Sequence, residues 1–486
     1  MSLTTALNIA QSALLATSKR TSVVSQNITN AGNADYARRT AVLASTDGGV
    51  RVAEVRRATN EALFRQNLRA SSDWQGQQRL LSGLDSLSTA VNGTDNASSP
   101  TTALAGLRDA LQLYSATPSS SNLAEGAIDA ARQLVRSLND GSDAVQAVRT
   151  GADIEIKAAV DDINKLLADF ETANRQVISA TSTGRDANSY IDQRNAILSE
   201  IAQYMPISTY TRGSEDMVIM TGDGATLFET VPRAVTFEPT ASFGPGMTGN
   251  PVYVDGIPIT AADQAAGEIS GTLGALVKLR DDVAVTMQTQ LDEIARGAIL
   301  AFAELDQTGG GAPPLAGLFT WSGGPDLPPD GVVTQGLASM IKVNPAFDSE
   351  QGGNPVLLRD GGANGGDYLA NTAGGASFAT LLIGYADRID APIVFDSAAD
   401  IAANVSLADF GANAIGWIEG LRKQSSSAEV NASAMMVRSA EALSNETGVN
   451  VDTEISLLLD LEHSYEASAR IISTVDRMMA ALLELV

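Results

Sequence analysis

Residues able to do chemistry are sparse in this chain, and their spacing supports none of the usual sites. His463 is the sole histidine and there is no cysteine. A His-His metal motif, an HExxH protease motif, a thiol nucleophile and a Cys-ligated metal are therefore all excluded. Asp360-Gly-Gly-Ala-Asn364-Gly-Gly-Asp367 faintly resembles a calcium loop. It lacks the alternating ligands and closing Glu of an EF-hand, and the glycine-rich nonapeptide type needs tandem copies. Gly222-Asp223-Gly224 has no third glycine and no following helix, so it is not a nucleotide fingerprint. The adjacent acids Asp161-Asp162 and Asp281-Asp282 fall in helical pattern and read as solvated faces. The expectation is a protein with no catalytic residues, no metal and no cofactor: not an enzyme.

Composition narrows the class further. The chain has 486 residues, 44% hydrophobic but only 5% aromatic, which suits long helices with small-residue seams better than a compact enzyme core. A net charge of −25 argues against nucleic-acid binding, which needs clustered Lys and Arg to release counterions. The charge is uneven: the first 70 residues hold nine Lys/Arg against four Asp/Glu, so a basic arm precedes an acidic remainder. We read these opposite charges as meeting on neighbouring copies or segments. No apolar run is long enough to span a membrane, so no membrane insertion is expected. The first twenty residues lack the charged start and continuous apolar stretch of a cleavable signal.

The elements most clearly written in the sequence lie at its two ends. Leu3, Leu7, Ala10, Leu14, Thr17, Thr21, Val24, Ile28 and Ala31 are spaced alternately four and three apart. Leu458, Leu461, Tyr465, Ser468, Ile472, Val475, Met479, Leu482 and Val486 repeat that spacing. Each set is a coiled-coil seam, and two matched seams predict that the ends pair with each other. Thr, Ser and Ala dilute both, so neither is strong alone, and the terminal helices are expected to order only on assembly. Between them, helices are predicted near 59–91, over Leu123–Val177 with weak points at Gly141 and Gly151, and near 186–204. Strands follow at Ile207–Thr211 and Met217–Met220. A hairpin is expected around Asp255-Gly256, a pair that tolerates the positive φ of a type I′ turn. Helix returns near 263–306, a Gly/Pro-rich segment runs to about 375, and helix resumes from 377 to the end, with breaks around 388–404 and 445–450.

The expected fold is mainly α, with terminal coiled-coil helices, a long helical bundle and a smaller β-rich insert. Four regions are assigned. Residues 1–58 with 441–486 form a terminal coiled-coil assembly domain. Residues 59–206, 263–306 and 377–440 form a helical middle domain. The β-rich insert is 207–262, and 307–376 is a Gly/Pro-rich variable segment.

Ser25-Gln26-Asn27-Ile28-Thr29-Asn30-Ala31 followed by Tyr36-Ala37-Arg38-Arg39 resembles the N-terminal signature of flagellar rod, hook and hook-associated axial proteins. Gly32-Asn33-Ala34-Asp35 stands where that superfamily usually has Thr-Pro-Gly. Gly448-Val449-Asn450-Val451-Asp452 and the stretch Tyr465 to Asp476 resemble its C-terminal signature. Within the latter, Ser468-Ala469-Arg470 and Ser473-Thr474-Val475-Asp476 are similar to the hook-associated protein 1 family, as are Asn67-Leu68-Arg69-Ala70 and Gly271–Leu276. The Phe-Asn and His usual after that last helix are missing at Phe302-Ala303-Glu304.

The resemblance implies a structural subunit that self-assembles into the junction between hook and filament and is needed for filament growth. It implies export, unfolded and without a cleaved signal, through the flagellar type III channel, from the cytoplasm to an extracellular flagellar location. The implied partners are further copies in a ring, the hook protein, the adjacent hook-associated junction protein toward the filament, and an export chaperone on the C-terminal helices. The seam is expected to carry assembly through Leu3, Leu7, Leu14, Val24, Ile28, Leu458, Leu461, Tyr465, Ile472, Val475, Met479 and Leu482. The family motif is carried over onto Ser25, Gln26, Asn27, Asn30, Tyr36, Ser468, Ala469, Arg470, Thr474 and Asp476. Two alternatives stay open: a hook or filament subunit, and a flagellar-tip adhesin or glycan-binding module using 207–262 or 306–375, for which Phe319 and Trp321 are the sole hint.

Overall fold

A computed structural model describes residues 3–93, 96–260 and 270–483. Val486 and the start of the helix expected at 263–306 lie outside the described residues.

Helix α1 (Leu3–Thr29) leads into a hairpin of β1 (Arg39–Thr46) and β2 (Gly49–Arg57). Helices α2 (Glu61–Leu87, continuing as a π turn over Ser88–Asn92), α3 (Pro100–Ala116), α4 (Ser121–Ser182) and α5 (Asn188–Tyr204) follow. The insert holds β3 (Ile207–Thr211), β4 (Met217–Thr221), β5 (Thr226–Glu229) and β6 (Val231–Pro232) in one antiparallel sheet. Beside it β7 (Val235–Thr236), β8 (Tyr253–Val254) and β9 (Ile257–Pro258) form a second. Then come α6 (Gly271–Lys278) and, after a π turn at Leu279–Val283, α7 (Ala284–Ala301). The Gly-rich segment contributes β10 (Phe319–Thr320), α8 (Leu337–Met340), β11 (Lys342–Val343) and α9 (Leu357–Asp360). Last are α10 (Thr380–Asp390), the pair β12 (Pro392–Val394) and β13 (Asn404–Ser406), α11 (Leu407–Thr447) and α12 (Val451–Leu483). The fold is mainly α with a small β component.

Side-chain caps set where the long helices start. Asn60 accepts from the Leu63 amide ahead of α2, Ser120 from the Leu123 amide ahead of α4, and Ser406 from the Asp409 amide ahead of α11. The 62-residue α4 is the spine: its first half packs in one apolar core with α2, α3, α7, α10 and α11. Its second half packs in another with α5, α6 and the β insert. The expected weak points at Gly141 and Gly151 do not materialise, because α4 runs unbroken through both. Gly141 is buried where a Cβ would touch Leu291 and Val91 at 3.4 Å, so closer helix packing offsets its low helix propensity of roughly 1 kcal/mol. The predicted Asp255-Gly256 turn is present, with φ of 50° and 80°.

Sequence reading missed two elements. Helix α3 is short and follows the Ser/Asn-rich stretch before Pro100, with Ser99 as its cap. The β1–β2 hairpin has a weakly alternating, largely exposed pattern. The Gly-rich segment also feeds the first core. Leu318, Phe319, Leu337, Ile341, Phe347 and Leu358 are fully buried in the first core.

Asp292 on α7 ties that segment down: its carboxylate accepts from the amides of Gly336 (2.8 Å) and Ala338 (2.9 Å) and from Gln288 Nε2 (3.0 Å). Burial pushes this carboxyl up to about 6 despite those donors. A folded value above the unfolded one means that its contribution to stability is full below about pH 4 and is lost as pH rises through 6. Denaturant titrations should therefore show wild type losing roughly 2–3 kcal/mol relative to Asp292→Asn between about pH 4 and pH 7. A pH-independent difference between the two would contradict this reading.

Candidate assembly interface

Helices α1 and α12 pack against each other, the last turn of α1 meeting the first turn of α12, so the two run antiparallel. Where they meet, Asn27 is 1% exposed and uses its whole side-chain amide. Its Nδ2 donates to the Arg39 carbonyl (2.8 Å) and to Glu454 Oε2 (3.0 Å). Its Oδ1 accepts from Tyr36 OH (2.9 Å) and the Arg39 amide (3.0 Å). Glu454, 1% exposed on α12, is held at its other oxygen by Arg38 Nε at 2.7 Å, and the Arg38 amide donates to the Thr447 carbonyl at the end of α11. Burial raises the Tyr36 hydroxyl above its ordinary value, and the Arg39 guanidinium lies over its ring at 4.7 Å. This hub thus joins both chain ends and the hairpin in one network. The hairpin also lies directly on α1. Ser12 Oγ accepts from the Val50 amide at 3.1 Å, and a Cβ on Gly49 (φ 136°) would meet Ser12 Oγ at 1.8 Å. Only glycine fits there.

A clasp fastens this end to the helical body. Asp192 of α5 binds Arg57 Nε at 2.6 Å and Arg39 Nη2 at 3.0 Å, each partner's side chain being only 11–12% exposed. Arg194 lies nearby, and burial pushes it down to about 10. Asp192 thus balances two guanidinium groups, while the acid facing Arg194 is Glu215. Removing one member of such a buried set leaves charge uncompensated, so Asp192→Ala should cost about 3 kcal/mol and open the 39–57 hairpin to protease. Cleavage there at the wild-type rate would contradict the clasp.

Burial on α12 recurs every seventh residue, at Glu454, Leu461, Ser468 and Val475. On α1 the matching buried positions include Ala10, Thr17 and Val24. The other half of the predicted seam is only partly covered. Leu3, Leu7, Leu14, Ile28, Leu458 and Ile472 are half-buried. Tyr465 (47%), Met479 (40%) and Leu482 (51%) are exposed in the single chain. One row of α12 is thus fully buried against α1 and the other only partly, and α12 also exposes Val451, Ile455, Leu459, Ile471 and Met478. The structure draws α1 and α12 as helices in one chain. That the terminal helices order only on assembly stays a proposal about the isolated chain, and it bears most on the thin seam beyond the hub.

Of the motif residues, the structure brings together Asn27 and Tyr36. Asn30 turns back to the Gln26 carbonyl, and Ser468 is buried in the seam. Ser25, Gln26, Ala469, Arg470, Thr474 and Asp476 are exposed. Arg470 bonds only Glu466 and Thr474 only its own helix backbone. Sequence reading missed Glu454 and Asp192. For Glu454 the signal was present: an acid seven residues before Leu461, in seam register, demands a buried partner.

The remaining candidates have structural employment. Asp360 pairs with Arg359 and Asn371, while the amides of Ala363 and Asn364 cradle the buried Glu304 carboxylate at 2.9 Å. That loop holds a carboxylate rather than a cation. Asp161 pairs with Lys157, Asp162 accepts from Tyr204 OH, and Asp281 binds Arg280. Phe319 stacks edge-on against Phe302 in the core, and Trp321 packs at its margin with Nε1 on the Asp326 carbonyl. His463 is exposed on α12. Among the described residues no cluster suits a metal and no helix is long and apolar enough to cross a membrane.

Comparison with known proteins gives matches at both levels of the chain. Residues 84–315 match the helical domain of flagellar hook-associated protein FlgK, and residues 441–485 match the C-terminal domain of the flagellar basal body rod FlgEFG proteins. The solved flagellar hook junction protein FlgK from Burkholderia pseudomallei is similar at 18% identity and a TM-score of 0.43, over 53% of this chain and 47% of that one. This chain thus matches about half the length of that protein. No curated protein matches. Both matched regions belong to structural flagellar proteins rather than enzymes, a FlgK helical domain followed by an axial-protein C-terminus, and these make the chain a FlgK-like hook-associated protein.

Proposed function

We propose that this protein is a mechanical adaptor, many copies of which close into a ring between the flagellar hook and the filament and support filament growth. The observation that carries the reading is the half-covered α12. A helix locked to α1 through a buried Asn27–Glu454 contact presents Ile455, Leu459, Tyr465, Met479 and Leu482 to solvent. Ile455 and Leu459 share one face, and Tyr465, Met479 and Leu482 lie nearer the α1 contact; apolar patches on two sides of one helix are costly to leave wet, and neighbouring copies are the natural cover. Packing of one copy's α12 against another copy's α1 joins two different surfaces, which is the heterologous contact that generates rings. The hook protein on one side and the next hook-associated junction protein on the other complete the partner set. The same apolar patches suit an export chaperone on the C-terminal helices before passage through the flagellar type III channel, from cytoplasm to the outside of the cell. Electron microscopy of cells lacking the protein tests the reading. Hooks without filaments, with filament protein lost to the medium, are expected. Missing hooks would instead favour a hook subunit.

A further inference from the structure

Resting on that reading, the structure assigns a specific contact between adjacent copies: Lys19 of one copy meets Glu462 of the next, beside Leu15 on one side and Leu459 with Ile455 on the other. Four observations converge on it.

Lys19 and Glu462 are exposed, and neither has an ion pair or hydrogen bond among the described residues. Their charges are opposite, and they sit on different helices of the same antiparallel pair. They also lie at the same height. Lys19 is eight residues back from Asn27 and Glu462 eight residues on from Glu454, and Asn27 and Glu454 touch. At 1.5 Å per residue both lie about 12 Å from that contact. A lateral neighbour with no axial offset therefore brings Lys19 level with Glu462, which is what a flat, closed ring requires.

The surroundings fit as well. Leu15, 71% exposed, precedes Lys19 by four residues and shares its face. Ile455, Leu459, Glu462 and Glu466 follow one another at spacings of four, three and four on a single face of α12, with Ile455 45% and Leu459 53% exposed. Glu466 is already paired with Arg470, which leaves Glu462 as the free acid at the end of the apolar row. On α1, Ser12 lies three residues before Leu15 and seven before Lys19 on the same side, so the hairpin held by the Ser12–Val50 bond borders this face, and Leu15 and Lys19 themselves stay exposed beside it. An apolar patch with a cation beside it thus faces an apolar patch with an anion beside it, at equal height.

The chain has no cysteine, so oxidative cross-linking reads this contact without background. In cells lacking the native protein, a Lys19→Cys/Glu462→Cys variant should give a ladder of disulfide-linked copies in isolated hook fractions, and each single variant only monomer. The charge-swap series supplies an independent readout. Lys19→Glu and Glu462→Lys should each lower the number of filament-bearing hooks about tenfold, since like charges then oppose each other. The double swap should restore it to within about twofold. Filaments supported by the double-cysteine variant with no ladder, or a double swap no better than either single at wild-type levels of the protein outside the cell, would overturn the contact and leave the junction role standing. Normal filaments in cells lacking the protein altogether would overturn the junction role itself.

Discussion

Asn27→Ala should destabilise the terminal region by about 3–5 kcal/mol and abolish filament support, the largest effect expected of any single truncation in α1. The side chain removed is small, so little apolar burial is lost. What is lost is the satisfaction of four groups at once: the Tyr36 hydroxyl, the amide and carbonyl of Arg39, and one oxygen of the buried Glu454. Each buried polar group left without a partner costs roughly 1–3 kcal/mol, with water recovering part of the sum. Asn27→Asp is the informative control. It keeps the acceptor for Tyr36 and Arg39 but sets a second carboxylate 3.0 Å from Glu454, the distance now spanned by the Nδ2 bond. It should therefore be nearly as damaging at neutral pH and recover as acid neutralises one carboxyl. Protease sensitivity of the 30–60 region, followed with the helical signal during heating, separates local loosening from global unfolding. Wild-type resistance in Asn27→Ala would mean that the hub is ornamental.

The second large effect works in the opposite way. Ile455→Glu combined with Leu459→Glu should leave the free chain's stability within about 0.5 kcal/mol of wild type, because both side chains are about half exposed. Filament-bearing hooks should nevertheless fall by roughly a hundredfold. Covering a half-exposed side chain contributes about half of the roughly 1.5–3 kcal/mol of full burial, so the two together give about 1.5–3 kcal/mol, and the cost of covering two introduced carboxylates carries the total past the roughly 2.7 kcal/mol that a hundredfold change requires. Equal motility of this variant and wild type would show that the row is not an assembly surface. A large loss of stability in the free chain would show that the row is already covered within one copy.

The periodic parts of this fold were readable from sequence, and the parts built on single polar contacts were not. Heptad spacing located both terminal helices, and the Leu/Ile/Ala stripe located α4. Glycine misled at Gly141, where close packing against Leu291 and Val91 turned a helix-weakening residue into a buried one. Helix α3 and the β1–β2 hairpin escaped because their signals are short or their faces largely exposed. At the interface, motif reading reached Asn27 and Tyr36 but not their partners. Glu454 lies 427 residues from Asn27 and Asp192 lies 153 from Arg39, and no local pattern couples positions so far apart. The seam also read as symmetrical, two rows on each helix, whereas in the folded chain only one row of α12 is fully buried. Tyr465 and Met479 belong to the row that a single chain leaves partly open, while Leu482 continues the buried row past Val475.

Amide hydrogen exchange along α12, compared between the free chain and isolated hook–junction particles, tests most directly whether that open row is completed by other copies. The hub around Glu454 should be protected in both states. Beyond Leu461, where only Ser468 and Val475 are buried, the free helix should open readily and exchange fast. In assembled particles the same amides should slow by at least about a hundredfold, as neighbouring copies cover Tyr465, Met479 and Leu482. Equal protection of residues 462–483 in the two states would contradict the account, because α12 would then be complete within one chain and would have no surface left to give to assembly.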